Sequence, residues 1–214
     1  MKKVILFGWL TTLLLFGGEF ERAMEAYQRG SFIESLNSFS MLAQSGDARA
    51  QYNLGLMYAQ GKGTQPNELQ AKMWYTKAAE QGLPQAAYNL AILYHIEGER
   101  GAPHAFEQAR YWYEKAATGG VMAAHNNLGT LYLQGKGGPK DIQKAFMHFQ
   151  IAAQGMEPNG LLNAALLYAW GEGVQQDKMK AYEYLKKARN AGKAEATPFI
   201  DRLCKESAWV CQKQ

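Results

Sequence analysis

The stretch "AQYNLGLMYAQGKG", residues 50–63, decides the fold. Ala50, Leu54, Met57 and Tyr58 recur at helical spacing, and the helix they predict runs into Gly61 and Gly63. Two close glycines admit two readings, a phosphate cradle or a bend. A phosphate loop needs converging backbone N–H groups, normally between a strand and a helix, with a lysine and a hydroxyl following. Here Lys62 lies between the glycines, and the stretch is written four times. It returns as "AAYNLAILYHIEGERG" from Ala86, "AHNNLGTLYLQGKG" from Ala124 and "NAALLYAWGEG" from Asn163. A catalytic loop is seldom needed in every copy of a repeat, whereas a left-handed bend is needed in every helical hairpin. Gly61–Gly63, Gly135–Gly137 and Gly171–Gly173 are therefore read as turns.

The repeat has a strict period. Tyr58, Tyr94, Tyr132 and Tyr168 are spaced 36, 38 and 36 residues apart, and Asn53, Asn89, Asn127 and Asn163 keep the same intervals. Each turn leads into a second block: "AKMWYTKAAEQG", "ARYWYEKAATGG", "AFMHFQIAAQG" and "AYEYLKKARNAG", opening at Ala71, Ala109, Ala145 and Ala181. The two extra residues of the second copy fall in "IEGERGAPHAFEQ", where a loop would absorb them. Two helices per unit follow, and no segment alternates strictly enough for a strand. Glycines such as Gly82, Gly120 and Gly192 supply helix stops. Upstream, Gly30 separates two further helical stretches. Downstream, Ala194 to about Cys204 takes the place of another first helix.

The pattern A-x-Y-N-L-G-x-x-Y-x-x-G-x-G, followed by K/R-A-x-x-W-Y-x-K-A-A-x-x-G, resembles the Sel-like (Sel-one) repeat family, relatives of the tetratricopeptide repeats. The resemblance spans roughly residues 21–205 and weakens in the last unit, where Ala164 stands for Leu54 and Arg189 for the second alanine. It implies an all-α, right-handed superhelical solenoid of antiparallel helix pairs. The domain plan expected is a signal peptide over 1–18 and one repeat domain over 19–214. Within it lie an N-terminal helix pair (19–46), repeats at 47–84, 85–122, 123–158 and 159–192, and a capping helix and tail (193–214).

Residues 1–18 have a cationic start and an apolar run from Val4 to Phe16, too short to span a membrane comfortably and suited to bacterial export. Phe16 sits where a cleavage site favours a small residue, so an uncleaved N-terminal anchor is the second reading and a buried helix the third. Localisation is expected to be periplasmic. Without Lys2 and Lys3 the charge balance is 21 basic against 19 acidic residues, which excludes nucleic acid as the expected partner. Export favours a disulfide between Cys204 and Cys211 over two free thiols. Seven residues of continuous helix would hold their Cα atoms about 10.5 Å apart, beyond the roughly 7 Å that a bridge tolerates. The helix must therefore break within "KESAWV".

No catalytic, metal or cofactor constellation emerges. The histidines, His95, His104, His125 and His148, form no nucleophile arrangement, and no HExxH occurs. Trp74, Tyr75, Trp112, Tyr113, Phe149 and Tyr184 recur by column and read as packing between helices. In families of this kind the first helices line a concave surface, and positions that vary between copies are its candidates for specificity. Tyr52, Tyr88, Asn126 and Leu162 form one such column; Gln51, Ala87, His125 and Leu161 a second; Gln60, Ile96, Gln134 and Trp170 a third. Leu161 and Leu162 also suit packing against the capping helix. The asparagines Asn53, Asn89, Asn127 and Asn163 either bond an adjoining unit or form a polar ladder for an extended peptide; buried amides are usually satisfied locally. The candidate partner-binding set is Tyr52, Asn53, Tyr88, Asn89, His125, Asn126, Asn127, Asn163 and Trp170. The leading expectation is a non-enzymatic scaffold that binds another protein, with membrane contact only through residues 1–18. The resemblance also admits an immunity protein against a secreted effector such as a phospholipase. A β-lactam-binding or hydrolysing role ranks last, since the cysteine pair per repeat of such relatives and a Ser-x-x-Lys motif are both missing.

Overall fold

A computed structural model describes residues 18–212. The expected signal peptide or anchor falls almost wholly outside them. Among the described residues there is no strand, and no helix is long and apolar enough to cross a membrane. The helices are α1 (18–28), α2 (Phe32–Gln44), α3 (Ala48–Gln60), α4 (Glu68–Glu80), α5 (Pro84–Glu99), α6 (Ala105–Thr118), α7 (Met122–Gln134), α8 (Ile142–Gln154), α9 (Pro158–Trp170), α10 (Lys178–Asn190), α11 (Ala196–Glu206) and α12 (Ala208–Cys211). They form two compact units divided within α5, one ending at Leu93 and the other starting at Tyr94. In each unit consecutive helices pack on one another. Phe39, Leu42, Ala50, Leu54, Met57 and Trp74 centre the first unit's core; Phe149, Leu161, Leu167, Tyr168, Leu185, Ile200 and Leu203 lie in that of the second.

The helix boundaries follow from local chemistry. Asp47, Asn67, Asp141 and Asp177 each accept a backbone N–H from the first turn of the helix they precede, satisfying donors that have no partner within the helix. Gly61, Gly135 and Gly171 end α3, α7 and α9 in the left-handed conformation, with φ of 69°, 69° and 72°. The second copy departs from this. Glu97 occupies the position of Gly61, so nothing stops the helix there and α5 continues to Glu99. The extra residues thus lengthen a helix as well as the turn.

The second glycine of each pair has a different task. A β-carbon on Gly63 would meet the Phe32 carbonyl oxygen at 2.5 Å, and one on Gly173 would meet the Ile142 carbonyl oxygen at 2.8 Å. Gly137 touches the Phe106 carbonyl in the same way. Each turn is therefore seated, backbone against backbone, on the start of the second helix of the preceding pair. Within pairs, Gly55 faces the Tyr75 ring and Gly129 the Phe149 ring, with an added β-carbon at 2.6 Å and 2.7 Å. These glycines let α3 approach α4, and α7 approach α8.

At the C-terminus α11 stops at Glu206 and Ser207 breaks the helix, its φ and ψ at −152° and 70°. The chain reverses into α12, Cys204 and Cys211 form a disulfide pair with Cα atoms 5.7 Å apart, and Val210 is fully buried. Lys178 Nζ donates to Ser207 Oγ at 2.7 Å, tying the break to α10.

Two outcomes are expected in urea unfolding. Met156 stands where the other repeats have Gly82, Gly120 and Gly192, yet holds φ at 59° with its side chain exposed. Met156→Gly should raise stability by about 1 kcal/mol through relief of that backbone strain. Replacing Cys204 and Cys211 by serine should lower the stability of the C-terminal cap by about 2 kcal/mol, the loop-closure entropy of so short a ring.

Candidate functional site

In the first unit the candidate residues lie on α3 and α5. Asn89 bonds the side chains of both Tyr52 and Tyr75, whose rings are 6.0 Å apart. Burial pushes both phenols above their ordinary range, more strongly for Tyr75, while the Asn89 bond opposes the shift. Asn53 is spent differently, donating Nδ2–H to the Arg49 carbonyl of its own helix at 2.8 Å. Gln51 is buried, donating to the Ala43 carbonyl at 3.1 Å and accepting from Gln81 at 2.8 Å. Tyr88 is half-buried on α5.

In the second unit three of the candidates join one polar chain. Asn163 donates to Asn126 Oδ1 at 2.8 Å, Asn126 to Asn127 Oδ1 at 3.2 Å, and Asn127 to the Tyr113 hydroxyl at 3.2 Å. That hydroxyl lies 3.4 Å from His95 Nδ1. His95 Nε2 lies 3.5 Å from Glu99 Oε1, which Lys136 Nζ approaches to 2.5 Å. With the phenolic hydrogen toward Nδ1, the imidazole proton falls on Nε2, facing Glu99. Burial lowers the His95 pKa despite the Glu99 charge, and the Lys136 bond lowers that of Glu99.

One rule orders the asparagine column. Where the second helix of the preceding pair carries tyrosine, Tyr75 or Tyr113, the amide of Asn89 or Asn127 takes its hydroxyl. Where that column carries phenylalanine, Phe39 or Phe149, no hydroxyl exists, and Asn53 and Asn163 turn to a backbone carbonyl and to Asn126. Apart from Asn53, whose bond stays within α3, these amides bond between helices. Of the recurrent aromatics, Trp74, Tyr75, Trp112, Tyr113 and Phe149 are buried and Tyr184 half-buried.

Two features of the second unit remain outside that network. Trp170, 46% exposed, meets Phe199 edge-on with ring centroids 6.2 Å apart. The two rings line an open groove among α9, α10 and α11 with Leu166, Ala169, Arg202 and Glu206. Leu161 and Leu162, from the neighbouring columns, pack into the core beside α11. His125 Nδ1 and His148 Nδ1 meet at 3.0 Å, a contact that sequence reasoning missed. Its signal lies in the columns: His148 replaces the Trp74 and Trp112 type, His125 the Gln51 type, in one repeat only. Burial lowers the pKa of both, that of His148 to about 4 with help from His125 and Lys144. Among the described residues no three His, Cys, Asp or Glu side chains gather as a metal-ligand set.

The model of the Sel1 repeat matches residues 48–83, 84–121, 123–155 and 158–193. A curated sel1-like repeat-containing protein of Acanthamoeba polyphaga mimivirus is 49% identical over 53 residues, 25% of this chain. The chain spans only 10% of that protein's length. Among solved structures, a Sel1 repeat protein from Oxalobacter formigenes superposes with a TM-score of 0.80 at 27% identity, covering 93% of this chain and 82% of the other. A protective antigen of uropathogenic Escherichia coli with an SLR fold gives 0.80 at 29% identity, covering 93% of this chain and 45% of its own.

The histidines set an acid limit. Unfolded, His148 takes up a proton near pH 6.5; folded, it resists until about pH 4. Stability is thus fully present above the unfolded pKa and falls as pH drops toward about 4. Thermal melts across that window should show a falling Tm, and His148→Tyr should flatten the decline. Tyr113→Phe, which removes the hydroxyl that accepts from Asn127, should cost about 1 kcal/mol at pH 7.

Proposed function

The chain belongs to the Sel1 repeat family, and from that premise we propose that it is a non-enzymatic periplasmic scaffold that captures another protein. Its fold class is the α/α solenoid of that family. The reading rests above all on Trp170. The scaffold columns close on themselves through packing and amide bonds, whereas this large aromatic stays half in solvent beside Phe199 at the lip of an open, mostly apolar groove. Tryptophan in such a setting is a common energetic anchor of protein interfaces, and the Arg202 and Glu206 side chains supply a polar rim. In the first unit the half-buried Tyr88 on α5 is the candidate contact. The cationic, apolar start and the Cys204–Cys211 pair support export to an oxidising compartment.

The test is capture from periplasmic extract by the immobilised chain. Trp170→Ala should lower recovery of the partner several-fold while the helical circular dichroism is kept, and Tyr88→Ala should lower it further. Unchanged recovery in both variants would overturn this choice of surface. Recovery of a phospholipase-like effector instead of an envelope protein would assign the narrower immunity role.

A further inference from the structure

We propose that His125 and His148 form a binding site for one divalent late transition-metal ion, Cu2+ in preference to Ni2+ or Zn2+. The two Nδ1 atoms stand 3.0 Å apart on α7 and α8. A metal about 2.0–2.1 Å from each of two nitrogens separates them by about 2.9 Å at a right angle and about 3.3 Å at the tetrahedral angle. The observed spacing is the bite of a single ion.

The surroundings hold both rings for that task. His125 also bonds the Ala117 backbone, which holds its ring beside His148. Tyr132 stacks on His148 with centroids 5.6 Å apart and planes within 7°. The rings face an open pocket lined by Glu114, Ala117, Thr118 and Leu128, so the remaining coordination positions are accessible to water or an added ligand. The Glu114 carboxylate accepts from the Tyr132 hydroxyl at 3.2 Å and places negative charge at the pocket, opposing Lys144, which lies over the Tyr132 ring. Without metal, one of the two Nδ1 atoms carries a hydrogen and donates to the other. On binding, that proton moves to Nε2 of the same ring through solvent, both Nδ1 lone pairs become available, and no net proton is released by the tautomer change. Neutral imidazole pairs select borderline ions, and copper leads the affinity order among them.

The repeats supply matched controls. His125→Gln restores the residue that Gln51 provides in its column, and His148→Tyr the residue that Tyr184 provides. The tag-free full chain is titrated with Cu2+ against a chromophoric chelator and examined by electron paramagnetic resonance. One Cu2+ per chain is expected, with hyperfine structure from two imidazole nitrogens. Either variant should weaken binding roughly tenfold or more, with circular dichroism unchanged; His104→Ala, at an exposed site, should leave it intact. Affinity in His125→Gln and His148→Tyr as high as in the unaltered chain, or a spectrum without nitrogen coupling, would overturn the proposal and leave a hydrogen-bonded pair only. Loss of binding on His104→Ala would do the same.

Discussion

The contact on which each unit depends is backbone against backbone. Gly63, Gly137 and Gly173 have no room for a β-carbon because a carbonyl at the start of an earlier helix, from Phe32, Phe106 or Ile142, occupies its place. That seat sets the rise from one helix pair to the next. The side chains then interlock at a fixed height: Gly55 under the Tyr75 ring and Gly129 under that of Phe149. Bulk anywhere along this line would push the helices apart and open the apolar core, since protein interiors are packed at crystal-like density. The glycines that look like a ligand cradle are therefore the molecule's spacing device.

Polar groups obey the same geometry. An amide raised to a set height on a first helix meets whatever the preceding second helix offers. Tyrosine gives a hydroxyl, and phenylalanine gives nothing, so the amide turns elsewhere. In the second unit these choices link into a chain from Asn163 to Lys136 through Tyr113, His95 and Glu99. A fully satisfied network of this kind fixes register among several helices at once. Within it, Asn127 and Asn163 of the asparagine column each donate an amide hydrogen to a neighbouring side chain.

The helix pairs and their turns were legible in the sequence because they recur. A residue type repeated at 36 or 38 residues can be assigned by comparison of copies, and the break between Cys204 and Cys211 followed from the reach of a helix. Departures from the repeat were harder to read. Glu97 in a glycine's position extended α5 where a longer loop was expected. The His125–His148 contact needs two columns to be aligned across different helices, which a one-dimensional period does not do. Trp170 was legible as a variable position, but its groove depends on Phe199 from a helix outside the repeat pattern.

The phenylalanine at 149 carries one more consequence. Because Asn163 lacks a hydroxyl to meet there, it leans on Asn126, an amide present in the third copy alone. The modules are thus not interchangeable bricks. Shuffling their order, or inserting a duplicate between them, would leave buried amides facing the wrong neighbour even where every oily contact was preserved. Lineages that lengthen or shorten such a chain must recode these polar letters along with the copy number.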